Sequence, residues 1–456
     1  MNKSLGTLNK QNQCQVDDDE PPGSATTSNI VVDEEDEPPS CVFGTTIKEA
    51  FLSRTHPQDW NDWKWQFQNR VTSVEELAKY IPLSPLLEKR LKLVVTKYSL
   101  AITPYYLSLI NPHDVNDPIR KQSVPCFEEV AFAGIGFEDP LEEKRESVVP
   151  GLVHRYPDRV LMVMTDVCPM LCRHCTRKRE WKHGFWVRTD AEIGDMINYI
   201  RRNRSVRDVI ISGGDPLTLS TRRLEWVIAQ LRAIQHVEII RIGTRFPVVL
   251  PQRIDAELCD MLSKYGPIWL NTHFNHPKEI TEEAAAAVDR LVRAGVPVNN
   301  QSVLLKGVND TVAIQRKLCQ ALLKIKVRPY YLYQCDEIQG TEHLRTTVET
   351  GLKIMNGMWG HTSGLAVPTY IIDLPQGGGK IPVLPNYMQS RLGEDLIFKN
   401  YQSKYYHYRN PRGAAAARKK NNTADTQMSL ELPLADFENA TSVAAVMGQY
   451  ENRPVI

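Results

Sequence analysis

Arg159-Val-Leu-Met-Val-Met-Thr-Asp-Val-Cys168-Pro-Met-Leu-Cys172-Arg-His-Cys175 is the stretch on which the reading of this chain turns. Val160–Met164 is an apolar run of strand length, and three cysteines follow it in the next loop. Three thiolates at this spacing can hold three irons of a [4Fe–4S] cluster and leave the fourth iron open to another ligand. Structural zinc is a second reading, but it usually takes four Cys or His ligands. His174 offers a fourth, yet its place between two cysteines makes a closed tetrahedral site less natural. Ordinary buried thiols are the third reading.

Working outward, strand-like runs at Val160–Met164, Asp208–Ser212, Glu238–Gly243, Ile268–Thr272, Val298–Leu304 and Val327–Tyr333 alternate with helix-like stretches such as Asp190–Arg202, Thr221–Ile234 and Glu282–Ala294. That rhythm predicts an α/β fold, a partial (β/α)6-type barrel with a parallel sheet. In such barrels chemistry gathers at the C-terminal strand ends, where Cys168, Gly213, Arg245, His273, Gln301 and Asp336 fall.

The expected organisation is a disordered acidic tail over 1–44, a helical N-terminal domain over 45–150, the barrel over 151–375, a C-terminal segment over 376–410 and a mobile tail over 411–456. Within the helical region, Thr72 and Ser73 followed by Glu75 and Glu76 form a capping-box signature. Trp60, Trp63 and Trp65 read as core anchors. Lys and Arg total 55 against 54 Asp and Glu, a net charge of +1 that gives no reason to expect a nucleic-acid or membrane partner. Apolar runs such as Val367–Ile372 are too short to span a bilayer, and nine thinly spread cysteines do not resemble a disulfide framework. A cytoplasmic location is expected.

Ser212-Gly-Gly-Asp-Pro216 closes the second strand-like run and puts Gly213, Gly214 and Asp215 where unhindered backbone can meet a ligand. By itself a glycine pair is an ordinary turn. Following the cysteine triad, it resembles the second motif of the radical S-adenosylmethionine superfamily. Further on, Asp373-Leu-Pro-Gln-Gly377-Gly-Gly-Lys380 sets one lysine after a flexible loop, as a Schiff base to pyridoxal phosphate requires, although a surface lysine after a glycine turn is the commoner case. Arg155 and Arg159 are candidate phosphate ligands and could equally be surface residues.

Together these segments resemble the lysine 2,3-aminomutase family. The resemblance runs from about Trp60 to about Tyr401, through Trp60-Asn-Asp-Trp63-Lys-Trp65, Ala101-Ile-Thr-Pro-Tyr-Tyr106, Cys172-Arg-His-Cys-Thr-Arg177, Asn300-Gln-Ser-Val-Leu-Leu305, Tyr333-Gln-Cys-Asp336, Gly360-His-Thr-Ser-Gly364 and the Lys380 segment. It implies a radical 1,2-amino shift between L-lysine and β-lysine with a [4Fe–4S] cluster, S-adenosylmethionine and pyridoxal phosphate. Cys168, Cys172 and Cys175 are implied as cluster ligands, Lys380 as the pyridoxal lysine, and Arg155 and Arg159 as its phosphate ligands. His174, His273 and Gln301 match positions near the nucleoside or cluster, Arg177 the arginine that takes the substrate carboxylate, and Asp336 and Asp373 the carboxylates that take the distal ammonium.

Two carboxylates would repel an acidic side chain, so a basic amino acid is expected; arginine, ornithine or a protein-bound lysine are the alternatives to free lysine. A metal-stabilised interaction protein is the non-enzymatic alternative. An external electron donor such as flavodoxin or ferredoxin is implied, and so is a homo-oligomer. The intersubunit zinc of some family members uses C-terminal cysteines, whereas this chain has none after Cys335.

Overall fold

In the computed structural model, residues 46–411 are described, apart from 183; the acidic segment at 1–44 and nearly all of 411–456 lie outside them. The centre of the molecule is a ten-stranded sheet whose strands follow one another in chain order. They are β1 (Ser147–Val149), β2 (Leu152–Tyr156), β3 (Arg159–Val163), β4 (Asp208–Ser212), β5 (Ile239–Gly243), β6 (Ile268–Thr272), β7 (Val298–Leu304), β8 (Val327–Gln334), β9 (Thr369–Leu374) and β10 (Gly379–Pro382). From β3 to β9 every neighbouring pair is parallel. β1 and β2 extend one edge antiparallel, and β10 extends the other.

The expected fold class holds, with one addition: β9 is a seventh parallel strand. The helices between strands have textual starts as well as periodic faces. Thr189, Ser220, Thr281 and Thr311 cap the helices Asp190–Arg202, Thr221–Arg232, Glu282–Arg293 and Val312–Lys324, each accepting a backbone N–H that the first turn leaves without a partner. Their apolar faces, among them Leu224, Val227 and Leu231, are fully buried in the same core as Val209, Ile211, Ile240 and Ile242 of the sheet. Burying each such side chain is worth about 1.5–3 kcal/mol, which fixes the register of every helix on the sheet.

Among the described residues before the sheet there are eight short helices, several opened by a proline at the first turn, as at Pro57, Pro85, Pro104 and Pro118. The capping signature is realised: Ser73 Oγ accepts from Glu76 N at 3.1 Å, while Glu76 Oε2 accepts from Thr72 N at 3.0 Å. Trp60 is buried, with Trp63 and Trp65 packed on the same core that runs into the sheet. A separate three-stranded antiparallel sheet is formed by β11 (Met388–Leu392), β12 (Asp395–Lys399) and β13 (Tyr405–Arg409). Among the described residues no helix is long and apolar enough to cross a membrane.

Candidate active site

The loop after β3 carries the three cysteines, and two buried cations flanking its last cysteine fasten it. Arg173 and Lys178 both donate to Glu129, through Arg173 Nη2 to Oε2 at 2.5 Å and Lys178 Nζ to Oε2 at 2.7 Å; none of the three side chains is more than 1% exposed. Burial opposes ionisation of Glu129, but the two cations outweigh it and hold the carboxyl below its ordinary range. Burial also pulls Lys178 down to about 8.

The glycine pair has a structural reason that its motif reading did not supply. Gly213 has φ +146°, and a side chain at Gly214 would run into the backbone of Asp166 and Val167. Gly214 N donates to Thr165 O, and Asp215 N donates to Val167 O at 2.8 Å, so the β4 turn is stitched to the entrance of the cysteine loop. Asp215 spends its carboxylate on the scaffold: it accepts from Thr244 Oγ1 at 2.7 Å, Arg245 N at 2.8 Å and Leu217 N at 3.1 Å. Burial raises it to about 7 against those bonds.

One cavity of about 660 Å³ is lined by the cysteines, by His174, Arg177, Gly213, Gly214, Asp215, His273 and Gln301, and by Arg155, Arg159, Asp373 and Lys380. Asp336 does not line it. That carboxyl is buried near enough to Asp373 and Lys380 to feel their charges; burial first and Asp373 second raise it to about 7.

Lys380 lies in β10, opposite Asp373 of β9. The lysine follows no slack loop: the glycines make a hairpin turn, and cross-strand pairing brings Lys380 Nζ to 2.6 Å from Asp373 Oδ2. Its backbone N–H donates to Tyr156 Oη at 2.8 Å. Arg155 is engaged by Glu146 at 2.6 Å and by Asp373 at 3.5 Å. Arg159 stacks over the Tyr156 ring, 4.0 Å from its centroid, and forms no ion pair among the described residues. A phosphate therefore has one uncommitted guanidinium to meet, which suits pyridoxal phosphate.

The cysteine loop suits a cluster better than a lone ion. Thiolates 2.3 Å from a tetrahedral zinc lie about 3.8 Å apart. Among the described residues the three ligand atoms found within 4.8 Å of one another belong to Cys126, Glu129 and His343, so the three loop sulfurs are spread more widely. Glu129 itself has both oxygens occupied by Arg173, Lys178 and Cys126 N. Two loop sulfurs already receive donors: Arg245 Nη1 reaches Cys172 Sγ at 2.9 Å, and Arg177 N reaches Cys175 Sγ at 3.3 Å. Burial pushes the Cys168 thiol well up and the Cys175 thiol to about 11, so thiolates at these two positions call for bound positive charge, which irons supply. Burial keeps His174 and His273 neutral, the latter at about 4, with Arg245 adding to the effect.

Reading the sequence missed Glu143, Glu146 and Glu129. Their only trace there is charge alternation such as Glu142-Glu-Lys-Arg-Glu146, which looks like a solvated surface.

Residues 162–314 match the radical SAM superfamily, and residues 355–453 match the family described as lysine-2,3-aminomutase. The chain is 53% identical over 371 residues to the L-lysine 2,3-aminomutase of Acetoanaerobium sticklandii, covering 80% of this chain and 88% of the relative. It is 54% identical over 353 residues to that of Clostridium subterminale, covering 77% and 85%. To the glutamate 2,3-aminomutase of Clostridioides difficile it is 45% identical over 347 residues, covering 76% and 82%. Membership of the superfamily implies a [4Fe–4S] cluster and S-adenosylmethionine, and the cysteine loop and glycine pair both fall within the matched 162–314. The chain belongs to the lysine 2,3-aminomutase family of radical S-adenosylmethionine proteins.

Proposed function

We propose that this protein is an isomerase, an L-lysine 2,3-aminomutase that interconverts L-lysine and β-lysine using a [4Fe–4S] cluster, S-adenosylmethionine and pyridoxal phosphate. The observation that carries the reading is that one cavity joins the cysteine loop to the Lys380–Asp373 pair. When bound, the cluster and S-adenosylmethionine supply a radical able to take hydrogen from an unactivated carbon, and the pyridoxal supplies the π-system across which nitrogen migrates.

The protein's own part is to hold and orient. Cys168, Cys172 and Cys175 hold the cluster, while Gly213, Gly214, His174, His273 and Gln301 wall the nucleoside side. Asp215 supports that wall by fixing the Arg245 and Leu217 backbone. Lys380 would hold the pyridoxal through its aldehyde, with Arg159 and Arg155 toward the phosphate. Arg177 presents its fork to the substrate carboxylate, a geometry that lysine could not offer.

Asp373 takes the distal ammonium, and Asp336, outside the cavity lining, adds negative charge near it. The Lys380 ammonium sits 2.6 Å from Asp373 Oδ2, an alkylammonium already paired with the carboxylate assigned to the substrate's own. A carboxylate on the wall with a second close enough to feel its charge favours a cation and disfavours an acidic side chain. An external one-electron donor of the flavodoxin or ferredoxin kind completes the system.

The test is anaerobic incubation of the reduced, reconstituted protein with lysine, arginine, ornithine and glutamate separately, with products separated by chromatography. β-Lysine from lysine alone is expected. Turnover of arginine or ornithine in preference to lysine would replace the substrate assignment, and no amino shift with any of them would overturn the reading.

A further inference from the structure

Arg177 is not held by the barrel alone. A strap from Phe137 to Glu146 runs between the N-terminal helices and β1, bridged at Phe137 to Ile338 and at Pro140 O to Gln376 N at 2.9 Å. From this strap Glu143 reaches Arg177. Arg177 Nη2 donates to Glu143 Oε1 at 2.6 Å and Nε donates to Oε2 at 3.0 Å, a bidentate pair along one edge of the guanidinium. Nη1 donates to the Gly213 carbonyl at 2.8 Å. An arginine has five N–H donors, so one proton on Nη1 and one on Nη2 are left. The side chains of Arg177 and Glu143 are only 19% and 12% exposed, and Arg177 borders the cavity.

We propose that Glu143 is a positioning residue: it clamps Arg177 by its Nε–Nη2 edge and aims the remaining Nη1 and Nη2 protons at the α-carboxylate of the amino-acid substrate. The assignment deepens the reading given above and rests on Arg177 receiving that carboxylate.

An opposite role can be imagined, in which Glu143 merely fills the site and leaves when substrate arrives. The surroundings oppose it. Glu143 Oε2 also accepts from Arg179 Nη2 at 2.9 Å, so both oxygens are committed to two arginines. Burial alone would raise its carboxyl, yet Arg177 and Arg179 hold it down to about 2. Expelling an anion so matched would leave Arg179 with less counter-charge. Keeping it costs the substrate nothing, because Arg177 retains two donors. Gly213 ties the same guanidinium to the glycine turn beside the cluster loop, so the carboxylate position is set relative to the radical source.

The experiment compares binding of L-lysine and L-lysinamide, which lacks the carboxylate, to the full-length reconstituted protein and to its Glu143→Gln and Glu143→Asp variants by calorimetric titration, with lysine turnover measured alongside. For the parent, lysine binds more tightly than lysinamide. In Glu143→Gln lysine affinity falls about tenfold while lysinamide affinity moves by less than about twofold, and Glu143→Asp recovers part of the loss. Tighter lysine binding in Glu143→Gln would identify Glu143 as an occupant and overturn the proposal. Equal weakening of both ligands would reduce it to a general structural role and overturn it too. If Glu143→Gln does not fold, the lysine-to-lysinamide ratio in Glu143→Asp decides: an unchanged ratio overturns it. Parent protein that discriminates lysine from lysinamide but never isomerises lysine sinks the functional reading and leaves the role of Glu143 to the variant ratios. Isomerisation with an unchanged ratio in the variants does the reverse.

Discussion

Glu129→Gln removes the single anion shared by two buried cations behind the cysteine loop. Arg173 gives Glu129 two bonds, at 2.9 and 2.5 Å, and Lys178 gives one at 2.7 Å. Both cations keep other acceptors, Ser99 O for Arg173 and Gly340 O for Lys178, each at 2.8 Å, so they stay in place when the carboxylate is neutralised. Leaving a buried charge without its partner costs about 3–5 kcal/mol. For a folded body of roughly 370 residues the unfolding entropy is about 0.8 kcal/mol/K, so the melting temperature should fall by about 4–6 °C.

The assay is calorimetric or circular-dichroism melting of the chain without added iron, so that cluster binding does not contribute. Acid supplies an independent signature. Because the folded-state carboxyl of Glu129 is held below its ordinary value of 4.5, its contribution is full above that value and is lost as pH falls through the lowered one. Glu129→Gln should lack this limb. Iron retention should drop as well, since Arg173 and Lys178 bracket His174 and Cys175 in sequence. A variant that melts within about 1 °C of the parent would refute the view that this trio fastens the loop.

Lys380→Ala should lose the bound pyridoxal absorbance on dialysis yet keep the parent's iron content, since the bonds of Lys380 go to Tyr156 and Asp373 and not to the cysteine loop; retention of the chromophore would remove Lys380 from its assigned role. Asp336 is raised to about 7, so its negative charge, present above that value, is lost as pH falls below it, and the KM for lysine should rise between pH 8 and pH 6, limits of about one unit either side. In Asp336→Asn the KM at the upper pH should be higher by about tenfold or more and the pH dependence should flatten, as steady-state kinetics across the range will show.

How far these features can be read without a structure varies with the distance over which they are encoded. The cysteine loop was legible because spacing of ligands within one loop is local, and the βα rhythm because alternation of buried and exposed positions repeats within each element. The helices Asp190–Arg202, Thr221–Arg232 and Glu282–Arg293 were found within two residues for the same reason. β9 was not counted as a strand although Val367–Ile372 stood out as an apolar run, because a short apolar segment does not reveal which edge it joins.

For Lys380, the sequence alone determined a lysine beside glycines, and only tertiary structure decided that the turn folds back so that Lys380 faces Asp373. Asp336 and Asp373 looked equivalent in the sequence, but packing put Asp373 on the cavity wall and left Asp336 out of its lining. The pairing of Glu143 with Arg177 and of Glu129 with Arg173 spans 34 and 44 residues. Charge complementarity at such separations leaves no periodic mark in a chain; it exists only once the path of the backbone has brought the two charges into a common low-dielectric space.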